Sequence, residues 1–246
     1  MSYQSLSKPI LDFLKHFAYP KILEIGIDKG QTMIPLCHNL TLLGRPFCYD
    51  AIDIKVQDYL QSVIINMGRI SCGGYDGHPQ SKNVNFYEES SLDILPKLVA
   101  LGIKYNLILL DGDHNYYTVS RELKDLEKLC YPSTMIICDD YDTKWAYEDL
   151  YYSEYKEYKN INIATAARET QKKGVRAAVE EFVQNSNNVW SIGHGPPMDY
   201  CILFKPKNIK GWRLDDSEFA TEQRMEFIFN KTTCTEIMNL KGEENG

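Results

Sequence analysis

Residues 107–110 read Leu-Ile-Leu-Leu, and the next residue is Asp111. A run without a polar position cannot alternate between a wet face and a dry one. It predicts a strand buried on both faces, the condition of an interior strand in a parallel sheet. Tyr105–Leu110 is therefore read as one strand of such a sheet. Other short apolar runs repeat the theme at Lys21–Ile25, Phe47–Ile52, Val84–Tyr87 and Met135–Cys138. Between them lie stretches with helical spacing. Thr32–Leu40 and Leu92–Leu101 are two of these. Val56–Met67 carries Leu60, Ile64 and Met67 on one face, and Val119, Leu123, Leu126 and Leu129 form another stripe. Strands alternating with helices predict an α/β domain whose parallel sheet is covered by helices. Val175–Phe182 adds a helix, and Val189–Ile192 and Tyr200–Phe204 add two strands. The short glycine-proline connection that begins at Gly193 suits an antiparallel pair. The expectation is a doubly wound, seven-stranded, mostly parallel sheet with an antiparallel last strand and helices on both faces.

Ile10, Leu14 and Phe17 predict a short amphipathic helix that Pro20 ends. Residues 1–19 are thus read as an N-terminal helical extension and 20–206 as the main domain. Residues 207–246 form a polar C-terminal extension with a disordered end. Within the main domain, residues 141–173 break the regular pattern, with six tyrosines between Tyr141 and Tyr158. Those rings suit either a lid over a site or an interface in a homo-oligomer. A net charge of -7 argues against a broad nucleic-acid footprint. No apolar run approaches the roughly 18–20 residues that a membrane helix needs. Neither a nucleic acid nor a membrane is therefore expected as a partner. Met1–Ser5 lacks the basic start and apolar core of a secretory leader. The seven cysteines include no Cys-x-x-Cys pair. Buried, reduced thiols in a cytoplasmic protein are the expectation.

Four motifs carry chemistry. Glu24-Ile-Gly26-Ile-Asp-Lys-Gly30 follows a strand and precedes a helix, where glycines let the backbone turn tightly and approach a ligand. Its spacing is not that of a dinucleotide fingerprint. An acid at Glu24 repels a pyrophosphate and attracts a cationic amine, which favours an amino-acid-bearing cofactor over NAD. Asp53, at the end of the second strand, can accept hydrogen bonds from a ribose. Ser90 and Ser91 either cap the following helix or face an adenine ring. The most informative pair is Asp111-Gly-Asp113-His114 with Asp139-Asp140. Adjacent parallel strands bring these carboxylates to one edge, where they repel unless protonated or bridged by a cation. Oxygen donors without thiols suit Mg²⁺, Mn²⁺ or Ca²⁺. Such a cation could bind a substrate hydroxyl pair, and Asp113 or His114 could accept the proton.

With these residues in place, the chain resembles the class I S-adenosylmethionine-dependent methyltransferases. Within them it is similar to the metal-dependent O-methyltransferases that act on sugars of macrolide and aminocoumarin antibiotics. The resemblance spans residues 20–205 and rests on Leu23–Gly30, Asp53, Ser90–Pro96, Asp111–Tyr116, Asp139-Asp140 and Gly174–Phe182. It implies a Rossmann-like fold and S-adenosylmethionine held by Glu24, Gly26, Gly30, Asp53, Ser90, Ser91 and Asp111. It implies Mg²⁺ at Asp111, Asp139 and Asp140, with Asp113 as general base. The family often has Gly-Asp-Ser where this chain has Glu89-Ser90-Ser91, and the tyrosine-rich segment has no counterpart. The implied activity is methyl transfer to a hydroxyl of a small molecule such as a sugar or polyol. The alternatives are metal-independent or N-methyl transfer on the same scaffold, or a non-catalytic cofactor-binding protein.

Overall fold

The computed structural model describes residues 7–63, 84–187, 189–194 and 199–205. The second half of the expected 56–67 helix, the loop after it and the C-terminal extension lie outside the described residues. The strands are β1 (Lys21–Ile25), β2 (Cys48–Asp53), β3 (Val84–Glu88), β4 (Tyr105–Leu110), β5 (Cys130–Cys138), β6 (Ser191–Gly193) and β7 (Cys201–Phe204). The helices are α1 (Ser7–Leu14), α2 (Met33–Leu42), α3 (Ser91–Ala100), α4 (Tyr116–Lys128) and α5 (Gly174–Asn185). Residues 58–63 are also helical.

The seven strands form one sheet in the order β3-β2-β1-β4-β5-β7-β6. β1 to β5 are mutually parallel, and β7 runs antiparallel to both β5 and β6. The expected architecture is the observed one. The order reverses between β1 and β4, which makes the carboxyl ends of those strands the topological switch point of the sheet.

Alternation along the strands divides the core. Leu23, Ile25, Ile108, Leu110, Ile136 and Cys138 point to one face and meet Leu95, Leu123, Leu126 and Val179 of α3, α4 and α5. Ile22, Tyr49, Leu107, Leu109 and Ile137 point to the other, against Ile10 and Leu14 of α1 and Leu36 and Leu40 of α2. Every residue of β4 is buried, as its apolar sequence requires. β5 starts five residues before the expected Met135. Pro132 and exposed Ser133 hid that stretch, which joins the sheet through an irregularity between Tyr105 and Leu107 of β4. Among the described residues, five cysteines are free thiols, four of them buried. No described helix is long and apolar enough to cross a membrane.

Candidate active site

The strand ends are tied to one another. Gly26 N–H donates to Ile52 O at 2.9 Å, Asp111 N–H to Ile25 O at 2.8 Å, and Asp139 N–H to Leu110 O at 3.0 Å. Each strand is thus carried one residue past its last paired position, and the chemistry-bearing residues emerge side by side. Above them lies a cavity of about 660 Å³. Glu24, Gly26, Asp53, Ser90, Ser91, Asp111, Asp113, His114, Asp139 and Asp140 all line it. Of the residues singled out from the sequence, Gly30 alone does not.

The two loop glycines do different work. Gly26 has φ +84°, and a Cβ there would lie 1.9 Å from Asp111 O. The β1 exit and the β4 exit therefore touch at backbone distance. Gly30, at φ +70°, has no room for a Cβ because Leu60 Cδ2 would be 2.7 Å away. Its smallness serves packing against the 58–63 helix.

Glu24 is 2% exposed and accepts a hydrogen bond from Tyr49 Oη at 2.6 Å. Burial lifts its carboxyl to about 8, only partly offset by that bond, so it is protonated at neutral pH. Asp53 holds the glycine loop. Its Oδ2 accepts from Ile27 N–H at 2.8 Å and Asp28 N–H at 3.0 Å, and its Oδ1 from Lys55 N–H at 2.9 Å. Oδ1 thus keeps a lone pair for a ligand hydroxyl. Ser90 takes the N-cap position of α3, yet its side chain makes no capping hydrogen bond and lines the cavity instead.

At the other end, burial, Asp139 and Glu24 together hold the Asp111 carboxyl well above the usual range. Asp139 is raised by burial and by Asp140. Asp140 behaves differently. It adopts φ +57°, a left-handed conformation that an aspartate tolerates better than most residues. That turn aims its carboxylate back at His114, whose Nδ1 lies 2.8 Å from Asp140 Oδ2. Thr143 Oγ1 donates to the other oxygen at 2.7 Å. Burial would raise Asp140, but these bonds outweigh it and keep the group below its ordinary value. With Nδ1–H given to Asp140, neutral His114 keeps a lone pair on Nε2. That atom lies 3.3 Å from Tyr152 Oη and 3.9 Å from Asp111 Oδ1.

The acidic trio was expected to form a metal site. Among the described residues, no three acidic, imidazole or thiol groups converge on a point that could hold an ion. Asp140 engages His114 with one oxygen and Thr143 with the other. Asp113, expected to be a free base, is also engaged. Its Oδ2 accepts from Thr118 Oγ1 at 3.2 Å, and its Oδ1 lies 3.4 Å from the Tyr152 N–H. Thr165 lines the same cavity, and its hydroxyl favours the charged form of this carboxylate.

Tyr152, Glu157, Tyr158 and Thr165 complete the wall. The sequence had marked their neighbourhood by its tyrosines without indicating which rings face inward. Tyr147 and Tyr155 are exposed, at 62% and 45%, whereas Tyr152 packs on Tyr158 at a centroid distance of 5.1 Å. Thr165 had no sequence signal.

A family model described as a methyltransferase domain matches residues 23–141. No curated protein matches the sequence. Among solved structures, apo CalS11, a TDP-rhamnose 3'-O-methyltransferase of calicheamicin biosynthesis, is similar with a TM-score of 0.54 and 13% identity. The alignment covers 82% of this chain and 77% of that one. A second CalS11 structure, titled as a calicheamicin methyltransferase, gives 0.54 at 12% identity over the same shares. At such identity the likeness is one of fold.

Proposed function

We propose that this chain is a class I S-adenosylmethionine-dependent methyltransferase that acts on a hydroxyl of a small sugar-like or polyol molecule, a reading supported by its methyltransferase-domain match and its fold. The observation that carries the reading is the His114–Asp140 pair, 2.8 Å apart, opening onto the same cavity as Glu24 and Asp53. S-adenosylmethionine, when bound, supplies a methyl group made electrophilic by its sulfonium. The residues at the β1 and β2 ends suit that molecule. Buried Glu24, once it gives up its proton, is a negative partner for the amine, Asp53 Oδ1 can accept from the ribose, and Gly26 lets the β1 and β4 exits meet at backbone distance beside it. Ser90 and Ser91 border the part of the cavity left for an adenine.

The remaining work belongs to the β4 and β5 ends. His114 Nε2 takes the proton of the acceptor hydroxyl as its oxygen bonds the methyl carbon and the carbon–sulfur bond breaks. Asp140 fixes the imidazole orientation and stabilises the charged ring that results. Holding the oxygen in line with the methyl group is the larger contribution, because positioning replaces a bimolecular encounter. Segment 141–173 excludes water from that geometry. CalS11 is a TDP-rhamnose 3'-O-methyltransferase, and tyrosine rings at the cavity wall suit the apolar faces of a sugar ring.

A divalent cation at Asp111, Asp139 and Asp140 is the finer alternative. A cation would relieve a row of carboxylates in which burial and Asp139 raise Asp111, and burial and Asp140 raise Asp139. Each Asp140 oxygen accepts one hydrogen bond and keeps a lone pair that a cation could take without displacing His114 or Thr143, and the proton transfer above needs no such ion. Transfer of a labelled methyl group to a panel of sugars and polyols tests both readings. The expected result is product formation that persists in EDTA. Loss of activity in EDTA, restored by Mg²⁺ and abolished by Asp139→Asn, would establish the cation. No product from any hydroxyl acceptor, with transfer to amines instead, would overturn the acceptor assignment.

A further inference from the structure

The segment after β5 is fastened to the body at two separate places. Its base is closed by Asp149, whose Oδ1 accepts from Tyr116 N–H and from Gly174 N–H, each at 2.9 Å. The two ends of segment 150–173 therefore meet at one carboxylate oxygen. Beside it, Leu150 N–H donates to His114 O at 2.9 Å and Asn115 Nδ2 donates to Leu150 O at 3.1 Å. The far part of the segment is held differently. Ser153 Oγ donates to Thr165 O at 2.6 Å, which ties the segment to itself. Its polar attachments to the cavity floor run from the backbone N–H of Tyr152 to Asp113 and from the Tyr152 hydroxyl to His114 Nε2, 3.3 Å away, and Thr165 lines the cavity beside Asp113. Between these ties, Tyr152 and Tyr158 reach over the cavity in different directions. Tyr152 reaches the His114 end of the cavity, with its Oη 3.3 Å from His114 Nε2, and Tyr158, packed on Tyr152, lines the same cavity as Asp28 and Asp53.

We propose that Asp113 is a latch that holds segment 150–165 over the whole cavity, so that one roof covers both the acceptor half and the cofactor half. The cofactor half of this statement rests on the function proposed above; the latch itself does not. Asp113 is on this account a positioning residue and not the proton acceptor. A roof spanning both halves has a kinetic consequence. Cofactor cannot leave past Tyr158 while the latch is shut, so release waits on opening. An acceptor bound under Tyr152 holds the roof down and delays it further.

The test begins without any ligand. Lys156 and Lys159 are exposed at the tip of the segment, and trypsin cuts there only when the segment lifts far enough to enter the protease. Asp113→Ala is expected to speed cleavage after these lysines about tenfold. Thr165→Val, which removes one side of the same contact, is expected to speed it similarly, and the double variant no more than the faster single. Asp113→Asn keeps an acceptor oxygen and should restore near-native protection. In stopped-flow experiments, release of S-adenosylhomocysteine is expected to quicken in parallel. Unchanged cleavage in both single variants, or effects that multiply in the double variant, would overturn the latch. Altered cleavage with no binding of S-adenosylhomocysteine would leave the latch standing and remove the cofactor reading. A native cleavage pattern in Asp113→Asn with methyl transfer abolished would return Asp113 to the role of base.

Discussion

Gly26→Ala is expected to abolish cofactor binding and to lower stability by about 2–4 kcal/mol, combining the left-handed backbone cost with a steric clash. The new Cβ would sit 1.9 Å from Asp111 O and 2.8 Å from Gly112 N. Both are backbone atoms fixed by the β1–β4 ladder, and Asp111 N–H is bonded to Ile25 O at 2.8 Å. Neither can rotate away as a side chain would. Relief requires the two central strands to part at their carboxyl ends, the place where Glu24, Asp53 and Asp111 are aligned. Thermal unfolding and a titration with S-adenosylhomocysteine measure the two effects. Native stability together with native affinity would mean that the backbones are not in contact there. Gly30→Ala, whose clash is with the flexible end of Leu60, should cost less stability and leave measurable binding.

His114→Ala is expected to lower kcat by about 10²–10⁴-fold, the usual worth of a positioned general base. Affinity for S-adenosylhomocysteine should change little, since Glu24, Gly26 and Asp53 lie on other strands. Asp140→Asn should fall between this variant and the wild type. It keeps an oxygen for the imidazole N–H but loses the charge that stabilises the protonated ring. Kinetics with the preferred acceptor give the answer. A His114→Ala enzyme within about threefold of wild type would sink the proton-transfer assignment. Joined to full sensitivity to EDTA, that result would transfer the role to a cation at Asp111 and Asp139.

Much of the scaffold was legible because it follows from short-range pattern. Leu107–Leu110 could only be an interior strand, and parallel strands must present their carboxyl ends at one edge. That brought Glu24, Asp53, Asp111 and Asp139 together before any coordinates. What stayed hidden depends on contacts distant in the chain. The His114–Asp140 bond needs the left-handed turn at Asp140, which Cys138-Asp-Asp-Tyr141 does not announce. The neighbours of Asp113 were not legible, because Tyr152 and Thr165 arrive from a segment without periodicity. Gly30 carried the signature of a ligand loop but answers to Leu60, a residue of the next helical stretch. Residues that hold a lid are set by the closed shape of the molecule, and no local propensity encodes them.

The central claim is that the cavity binds S-adenosylmethionine with Glu24 against its amine, and calorimetric titration with S-adenosylhomocysteine addresses it most directly. In the free protein Glu24 is raised to about 8, so near neutral pH it carries a proton. A cationic amine favours the ionised form, so binding must expel that proton. Affinity should therefore rise with pH up to about 8 and then level off. The account predicts binding in roughly the micromolar range, with proton release revealed by the dependence of heat on buffer ionisation at about pH 7. No binding at any pH would contradict it. Binding without proton release would separate the amine from Glu24 and leave the cofactor held by some other arrangement.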